Sequence, residues 1–125
     1  MNHWPDTAEP TLSTIDTGRR AEQAAADYLV REGFEIVEVN FRRRNCEIDI
    51  VARSQDNIFF VEVKYRATDR FGSGFDYITA AKLHHMQRAA EMWVRERNWH
   101  GEYTLSAIEV SGLTFDDIEF IESVY

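Results

Sequence analysis

Two adjacent apolar segments, Glu47-Ile-Asp-Ile-Val-Ala-Arg53 and Asn57-Ile-Phe-Phe-Val-Glu-Val-Lys-Tyr-Arg66, decide how this chain folds. The first alternates apolar and polar residues, and the second is rich in β-branched and aromatic residues, as strands are. Ser54-Gln-Asp-Asn57, which joins them, is a run of turn formers. The pattern predicts a β-hairpin.

The register of this hairpin is expected to bring ionisable residues together. A symmetric turn sets Asp49 directly opposite Glu62, with Cα atoms about 4.5 to 5.5 Å apart. Lys64 lies two residues beyond Glu62 and therefore on the same face of the sheet, and Glu47 is expected opposite it. Four ionisable groups would then converge on one face.

Opposed carboxylates between apolar neighbours need a counter-charge. Like charges placed there cost stability, because the residues that flank Asp49 and Glu62 are all apolar. A divalent cation such as Mg²⁺ or Mn²⁺ would neutralise them, since hard ions bind carboxylate oxygens and retain waters. The alternative is that both carboxylates are solvated on the open face of an antiparallel sheet, with Lys64 and Glu47 forming an ordinary ion pair. Spacing alone leaves both interpretations open.

Glu47-Ile-Asp49 followed by Phe60-Val-Glu-Val-Lys64 resembles the core signature of the PD-(D/E)XK nuclease superfamily, in particular its small bacterial YraN-like family. The resemblance extends from about Gly18 to the C-terminus, and its parts occur in the family's order and spacing. The chain departs from the family at Cys46, where a glycine is usual, and at residues 105–107, where Arg-Phe-Asp is usual. The other matching parts are Ala21-Glu22, Gly33-Phe34, Asn40, Phe71-Gly72 and Lys82.

The resemblance implies a role for each matching residue. Asp49 corresponds to the metal-binding aspartate, Glu62 to the second acidic ligand, and Lys64 to the catalytic lysine. Glu22 corresponds to a helix glutamate that archaeal Holliday junction resolvases of the same superfamily add to their metal site. The implied activity is Mg²⁺- or Mn²⁺-dependent hydrolysis of phosphodiester bonds in structured or branched DNA, in repair or recombination.

Glu22 also has an interpretation that does not depend on the family. It falls at the edge of an apolar helical stripe that includes Ala21, Ala25 and Leu29, so we expect it to be partly buried. The alternative is that it complements the macrodipole in the first turn of a helix, which needs no active site.

The charge of the chain argues at first sight against a nucleic-acid substrate. DNA binding depends on Lys and Arg, and the 125 residues carry a net charge of −8. Seven of the acidic residues lie in residues 1–17 and 113–125, which contain no Lys or Arg. Residues 18–112 retain 14 basic and 15 acidic side chains, a net charge of −1. We therefore expect weak or structure-specific binding of DNA rather than tight sequence-specific binding.

Basic residues near the hairpin are predicted to line a phosphate groove. Alternatively, Arg42, Arg43 and Arg44 form a solvated turn, and Lys82 is an ordinary surface lysine. The six are Arg42, Arg43, Arg44, Arg66, Arg70 and Lys82.

The remaining pattern predicts an α/β domain at residues 18–125, preceded by a flexible tail at residues 1–17. The order αβββαββ suggests a mixed β-sheet flanked by helices, like the restriction-endonuclease fold implied by the resemblance. Thr17 or Asp16 is expected to cap the first helix, and Gly33 to end it. A two-glycine loop at residues 67–75 would close over a substrate or be an ordinary surface loop. The other expected elements are strands at 34–41, 103–111 and 115–121 and a helix at 76–98.

The cellular setting is predicted from what the sequence contains. The chain has no apolar run of about 18 residues and no charged-then-apolar leader, so we expect a cytoplasmic protein without a membrane partner. A homodimer is compatible with two cuts in duplex DNA, although no residue identifies an interface. The competing hypothesis for function is a non-catalytic nuclease-fold protein that binds nucleic acid or regulates through a partner.

Overall fold

Seven elements follow one another in the predicted order along residues 5–67 and 78–124, which are the part of the chain that the computed structural model describes. The protein is therefore mixed α/β. The elements are α1 (Pro5–Arg31), β1 (Glu35–Arg43), β2 (Cys46–Ser54), β3 (Asn57–Arg66), α2 (Ala80–Arg97), β4 (Glu102–Ser111) and β5 (Asp117–Ile121).

The five strands form one sheet in the order β1-β2-β3-β4-β5. The β3–β4 pair is parallel, and the other three pairs are antiparallel. Parallel neighbours need a crossover connection, and α2 provides it between β3 and β4. Lys82, in the first turn of α2, therefore contacts Glu62 in the second half of β3.

The two helices cover opposite faces of the sheet. Alternate residues of β3 show this, because Ile58 and Phe60 belong to the core that contains α2 residues, whereas Phe59 and Val61 belong to the core that contains α1 residues. Within the described residues, neither helix combines the length and apolarity needed to cross a membrane.

Helix α1 ends where the sequence predicts and begins earlier. Gly33 has a φ of 97°, and Phe34 N donates to Leu29 O at 2.9 Å, as in a glycine-terminated helix. The prediction that Thr17 or Asp16 caps the helix is wrong, because α1 runs through both from Pro5. A capping side chain needs non-helical chain before it. The division into residues 1–17 and 18–125 remains a prediction, and α1 spans its boundary.

The other predicted bounds differ from the observed ones by a few residues. Thr79 caps α2, with its side chain accepting from Lys82 N at 3.1 Å, and Asn98 ends the helix with a φ of 55°. Strand β5 starts two residues later than predicted, because Phe115 has a φ of 60° and lies in the preceding turn. The predicted two-glycine loop and Arg70 lie outside the described residues, apart from the first residue of the loop.

Candidate active site

The sheet opens between β2 and β3. Their ladder follows the predicted register from Ser54 and Asn57 as far as the pair Ile50 and Val61, where it ends. Beyond this point β2 pairs only with β1, and β3 pairs only with β4, among the described residues. The expected pairing of Asp49 with Glu62 is therefore not part of the ladder.

The predicted pairing of Glu47 with Lys64 is wrong for the same reason. The register places Glu47 opposite Arg42 of β1, and it places Lys64 beside Glu109 of β4. Arg42 Nε lies 3.6 Å from Glu47 Oε1 in an exposed ion pair. Both strands keep the outer neighbours that they have along their whole length, and only the ladder between them ends.

Asp49 marks the break in β2. Val63 N donates to Asp49 Oδ2 at 2.8 Å, so the carboxylate takes a backbone donor of β3. Ile48 packs in the core with α2 and Ile50 in the core with α1, although residues two apart in a regular strand share a face. Across from Asp49 in the β1 register, Asn40 has a φ of 53°. Both strands are distorted at this level of the sheet.

The environment of Asp49 strongly disfavours its charge. Its relative exposure is 7%, so the interpretation of Asp49 as a solvated surface residue is wrong. Burial and the nearby Glu62 carboxylate raise the pKa of Asp49 to about 7, with further increases from Glu22 and Glu47 and an opposing hydrogen bond from Val63. Carboxylates from α1, β2 and β3 thus act on one buried carboxyl group.

Glu22 lies where the apolar stripe of α1 predicts. Its neighbours Ala21 and Ala25 are buried against the sheet, and Glu22 itself is partly buried. The charge of Glu22 contributes to the raised pKa of Asp49. Because α1 begins at Pro5, Glu22 is not in the first turn, so the macrodipole does not explain its position.

Glu62 is held by Lys82. Lys82 Nζ lies 2.9 Å from Glu62 Oε2, and the two side chains are 39% and 13% exposed. Burial opposes the charge of Lys82, but the hydrogen bond and charge of Glu62, with smaller effects of Asp49 and Glu47, raise the pKa of Lys82. The sequence predicts Lys82 as a phosphate contact but does not predict this pair, since the partners are 20 positions apart in the chain and lie on different elements.

Lys64 and Arg66 follow Glu62 on the same face of β3. Lys64 is exposed, and its neighbour in the register, Glu109, is 5% exposed. Arg66 Nε and Glu109 Oε2 lie 2.5 Å apart in an ion pair whose geometry is not that of a hydrogen bond. The guanidinium group of Arg66, which the sequence predicts to contact a phosphate, is thus paired with a buried carboxylate. The sequence pattern did not indicate a role for Glu109.

A cleft of about 520 Å³ adjoins Glu62 and Lys82. Arg42 and Arg43 line it, and Arg43 Nε also donates to Glu96 Oε2 at 2.8 Å. Contact of these arginines with phosphate remains a prediction. Arg44 is exposed in the turn between β1 and β2, which fits the alternative of a solvated turn for this residue. The other lining residues are Asn45, Cys46, Glu47, His85 and Met86.

The donor chemistry of this region fits a hard divalent cation, although the carboxylates do not form a closed cage. Within residues 15–67 and 78–124, whose side chains the structure describes, no three His, Cys, Asp or Glu side chains are grouped closely enough to hold an ion. Mg²⁺ commonly uses only one or two protein carboxylates and keeps several waters. The buried, charge-disfavoured Asp49 and the adjacent Glu62 supply such oxygens, and a cation between them requires Glu62 to share or release Lys82.

Cys46, one of the departures from the resemblance, does not have a backbone conformation that favours glycine. It begins β2 and is buried, with its Sγ 3.5 Å from Met92 Sδ. The left-handed conformation falls one residue earlier, on Asn45, with a φ of 63°. Asparagine tolerates this conformation better than most residues.

The fold and the site together define a small α/β protein with a partly neutralised acidic site at an opening of its sheet. Residues 21–119 match the model of the uncharacterised protein family UPF0102, and the chain belongs to this family. A UPF0102 protein of Nitrosomonas europaea is 37% identical over 113 residues, which cover 90% of this chain and 96% of that protein. A UPF0102 protein of Chlorobium chlorochromatii is 42% identical over 85 residues, covering 68% of this chain and 66% of that protein.

Proposed function

We propose that this protein is a divalent-metal-dependent nuclease with a restriction-endonuclease-like fold of the PD-(D/E)XK superfamily. Its proposed substrates are phosphodiester bonds in structured or branched DNA. The observation that carries the proposal is the state of Asp49, which is buried where the sheet opens and whose pKa is raised to about 7 by burial and by neighbouring carboxylates. A bound cation would favour the charged form of this group.

Asp49 and Glu62, with Glu22 from α1, would hold Mg²⁺ or Mn²⁺. When bound, the ion would neutralise charge on the phosphate and lower the pKa of a bound water. Val63 N–H fixes one oxygen of Asp49, so the orientation of this carboxylate is set by the backbone of β3. All three carboxylates lie within residues 21–119, the part of the chain that matches the family model.

Lys64 is the proposed catalytic lysine. It lies two residues beyond Glu62 and therefore on the same face of β3. Its ammonium group would stabilise negative charge that develops on the phosphate or would orient the attacking water. The Arg66–Glu109 ion pair joins β3 to β4 immediately beyond Lys64, which restricts the direction of the strand there.

The distribution of charge supports binding of DNA at the cleft and not over the whole surface. Arg42, Arg43 and Lys82 line the cleft, whereas both ends of the sequence are acidic. Neutralisation of phosphates by a few cations yields modest, salt-sensitive affinity. Selectivity is then expected to come from the shape of the DNA.

A second candidate function is a non-catalytic nuclease-fold protein that binds nucleic acid or regulates through a partner. The observation that favours it is the Lys82–Glu62 ion pair, because the chain already supplies a counter-charge for one proposed ligand. The overall net charge of −8 also favours it.

A cleavage assay separates the two functions. Labelled four-way junctions, flaps and single strands are incubated with the protein in Mg²⁺ or Mn²⁺, alongside Asp49→Ala and Lys64→Ala. Because both residues are proposed to act on the transition state, each substitution is expected to reduce cleavage by about 10²- to 10³-fold. Glu119→Ala, which removes an exposed carboxylate of β5, is expected to retain the parent rate. Parent activity no higher than that of Asp49→Ala would favour the second candidate.

A further inference from the structure

An ion pair joins the first turn of α2 to the opening of the sheet. Lys82 Nζ lies 2.9 Å from Glu62 Oε2, at the wall of the cleft. Glu62 is nearly buried, at 13% exposure of its side chain, whereas the Lys82 side chain is 39% exposed. The carboxylate is therefore fixed within the sheet, and the ammonium group approaches it from the solvent side.

The positively charged partner of Glu62 is a lysine, a residue type that is rare in this chain. Lys64 and Lys82 are the two lysines of the sequence, and the other 12 basic residues are arginines. Lys82 pairs with Glu62, and Lys64 lies two residues beyond Glu62 in β3. A lysine ammonium is a compact charge on a flexible stem, whereas arginine favours fixed, two-pronged contacts with carboxylates. Arg43 illustrates the second type, since two of its nitrogens contact the two oxygens of Glu96.

We propose that Lys82 is an exchangeable counter-ion of the active site. It holds Glu62 while the site lacks a divalent cation, and it moves to a phosphate of the DNA once the cation has taken its place. This inference rests on the proposed nuclease function and adds to it an order of binding, metal before DNA. It also explains how one residue serves both as an ion-pair partner within the protein and as a residue of the cleft.

The local structure allows the exchange without movement of the helix. Thr79 caps α2 by accepting a hydrogen bond from the backbone N–H of Lys82, so the main chain at this position is held independently of the side chain. A partly exposed ion pair contributes little stability, and a divalent ion carries twice the charge of an ammonium group. The released side chain stays within the cleft that Arg42 and Arg43 also line.

The reactivity of the Lys82 amine measures the exchange directly. Brief acetylation followed by peptide mass spectrometry can report on two lysines separately, and the α-amino group serves as the internal reference. With the parent protein, Mn²⁺ is expected to raise the acetylation rate of Lys82 by roughly fivefold, because the amine leaves its carboxylate partner. Four-way-junction DNA added with Mn²⁺ is expected to lower the rate again. Asp49→Ala should show neither change.

Metal affinity gives a second, independent measurement. Lys82→Gln is expected to bind Mn²⁺ roughly fivefold more tightly than the parent in calorimetric titration, since no ammonium group competes for Glu62. Arg95→Gln is the matched control, because it removes one positive charge from the same helix outside the cleft. Its Mn²⁺ affinity should equal that of the parent. The acetylation experiment uses the parent protein and therefore does not depend on the folding of Lys82→Gln.

The outcomes distinguish this inference from the proposed function. Binding of Mn²⁺ without a change in the acetylation of Lys82 would overturn the exchange and leave the nuclease proposal intact. Absence of Mn²⁺ binding by the parent would overturn both. A rise with Mn²⁺ that DNA fails to reverse would overturn the phosphate contact. The acetylation rate of Lys82 could rise with Mn²⁺ and fall again with DNA while no DNA is cleaved. This result would support the exchange and favour the non-catalytic function.

Discussion

At the scale of the residue, Asp49 is a carboxyl group whose protonation is coupled to folding. Burial and the Glu62 carboxylate raise its pKa to about 7 from an ordinary value of 3.8. A raised pKa in the folded state means that the protonated form is favoured by folding. The stabilisation is complete at pH values below about 4 and is lost as the pH rises through about 7.

Asp49→Asn is therefore expected to be more stable than the parent above pH 7 in the absence of metal. Its amide stays neutral at every pH and retains an oxygen for Val63 N–H. The difference in free energy of unfolding between Asp49→Asn and the parent should grow between about pH 4 and pH 7, to a value on the order of 4 kcal/mol. Urea unfolding of both proteins at several pH values measures it. Parallel pH profiles for the two proteins would contradict the raised pKa, and Asp56→Asn, at a 96% exposed side chain, is the control.

At the scale of the element, one glycine lies within α1 and a second lies just after its end, and the two have opposite conformational requirements. Gly18 lies within the helix, and an added Cβ would have no atom within 4 Å. Gly33 is equally open to a Cβ but has a φ of 97°. The space around the two residues is thus the same, and only the backbone conformation differs.

Substitution of each glycine by alanine should change stability in opposite directions. Gly18→Ala is expected to stabilise the protein by about 0.5 to 1 kcal/mol, because alanine favours the helix. Gly33→Ala is expected to destabilise it by about 1 to 2 kcal/mol, because the left-handed conformation is unfavourable for a residue with a Cβ. The midpoints of urea unfolding report both effects. Equal shifts for the two variants would show that the ending of α1 does not depend on Gly33.

Local sequence predicted the elements better than it predicted the contacts between them. The β2–β3 ladder has the expected register because a short turn fixes it, but the early end of the ladder at Ile50 and Val61 depends on outer strands that a hairpin pattern does not contain. The Lys82–Glu62 pair depends on the parallel crossover. The sequence predicts too late a start for α1, because the Ser and Thr residues before Gly18 are typical of caps and turns. In the structure, these residues are part of the helix, which begins at Pro5.

At the scale of the whole molecule, the acidic charge is expected to make the proposed divalent cation a stabilising ligand. The net charge is −8, and the proposed ligands come from α1, β2 and β3, so a bound ion would link three elements of the fold. A ligand that binds only the folded state stabilises it according to its concentration relative to its dissociation constant. The cytoplasmic location, the DNA partner and the homodimer remain predictions.

Mn²⁺ is accordingly expected to raise the melting temperature of the parent protein. At ten times its dissociation constant the stabilisation is about 1.4 kcal/mol, which corresponds to about 3 to 5 °C for a domain of this size. Asp49→Ala should shift by less than about 1 °C, because it lacks the central ligand. Differential scanning calorimetry with increasing Mn²⁺ measures both. Equal shifts in the two proteins would mean that Asp49 does not bind the ion.

The parallel pairing of β3 with β4 has a consequence for synthesis of the protein. The α1–β1–β2–β3 segment is synthesised first, so a nascent chain that ends at Arg66 carries Asp49 and Glu62 without the lysine of α2. The parallel partner of β3 appears only after α2 has been translated in full. Prematurely terminated chains therefore contain both acidic groups but lack the assembled pocket, and the proposed hydrolytic activity would be acquired only near the completion of translation.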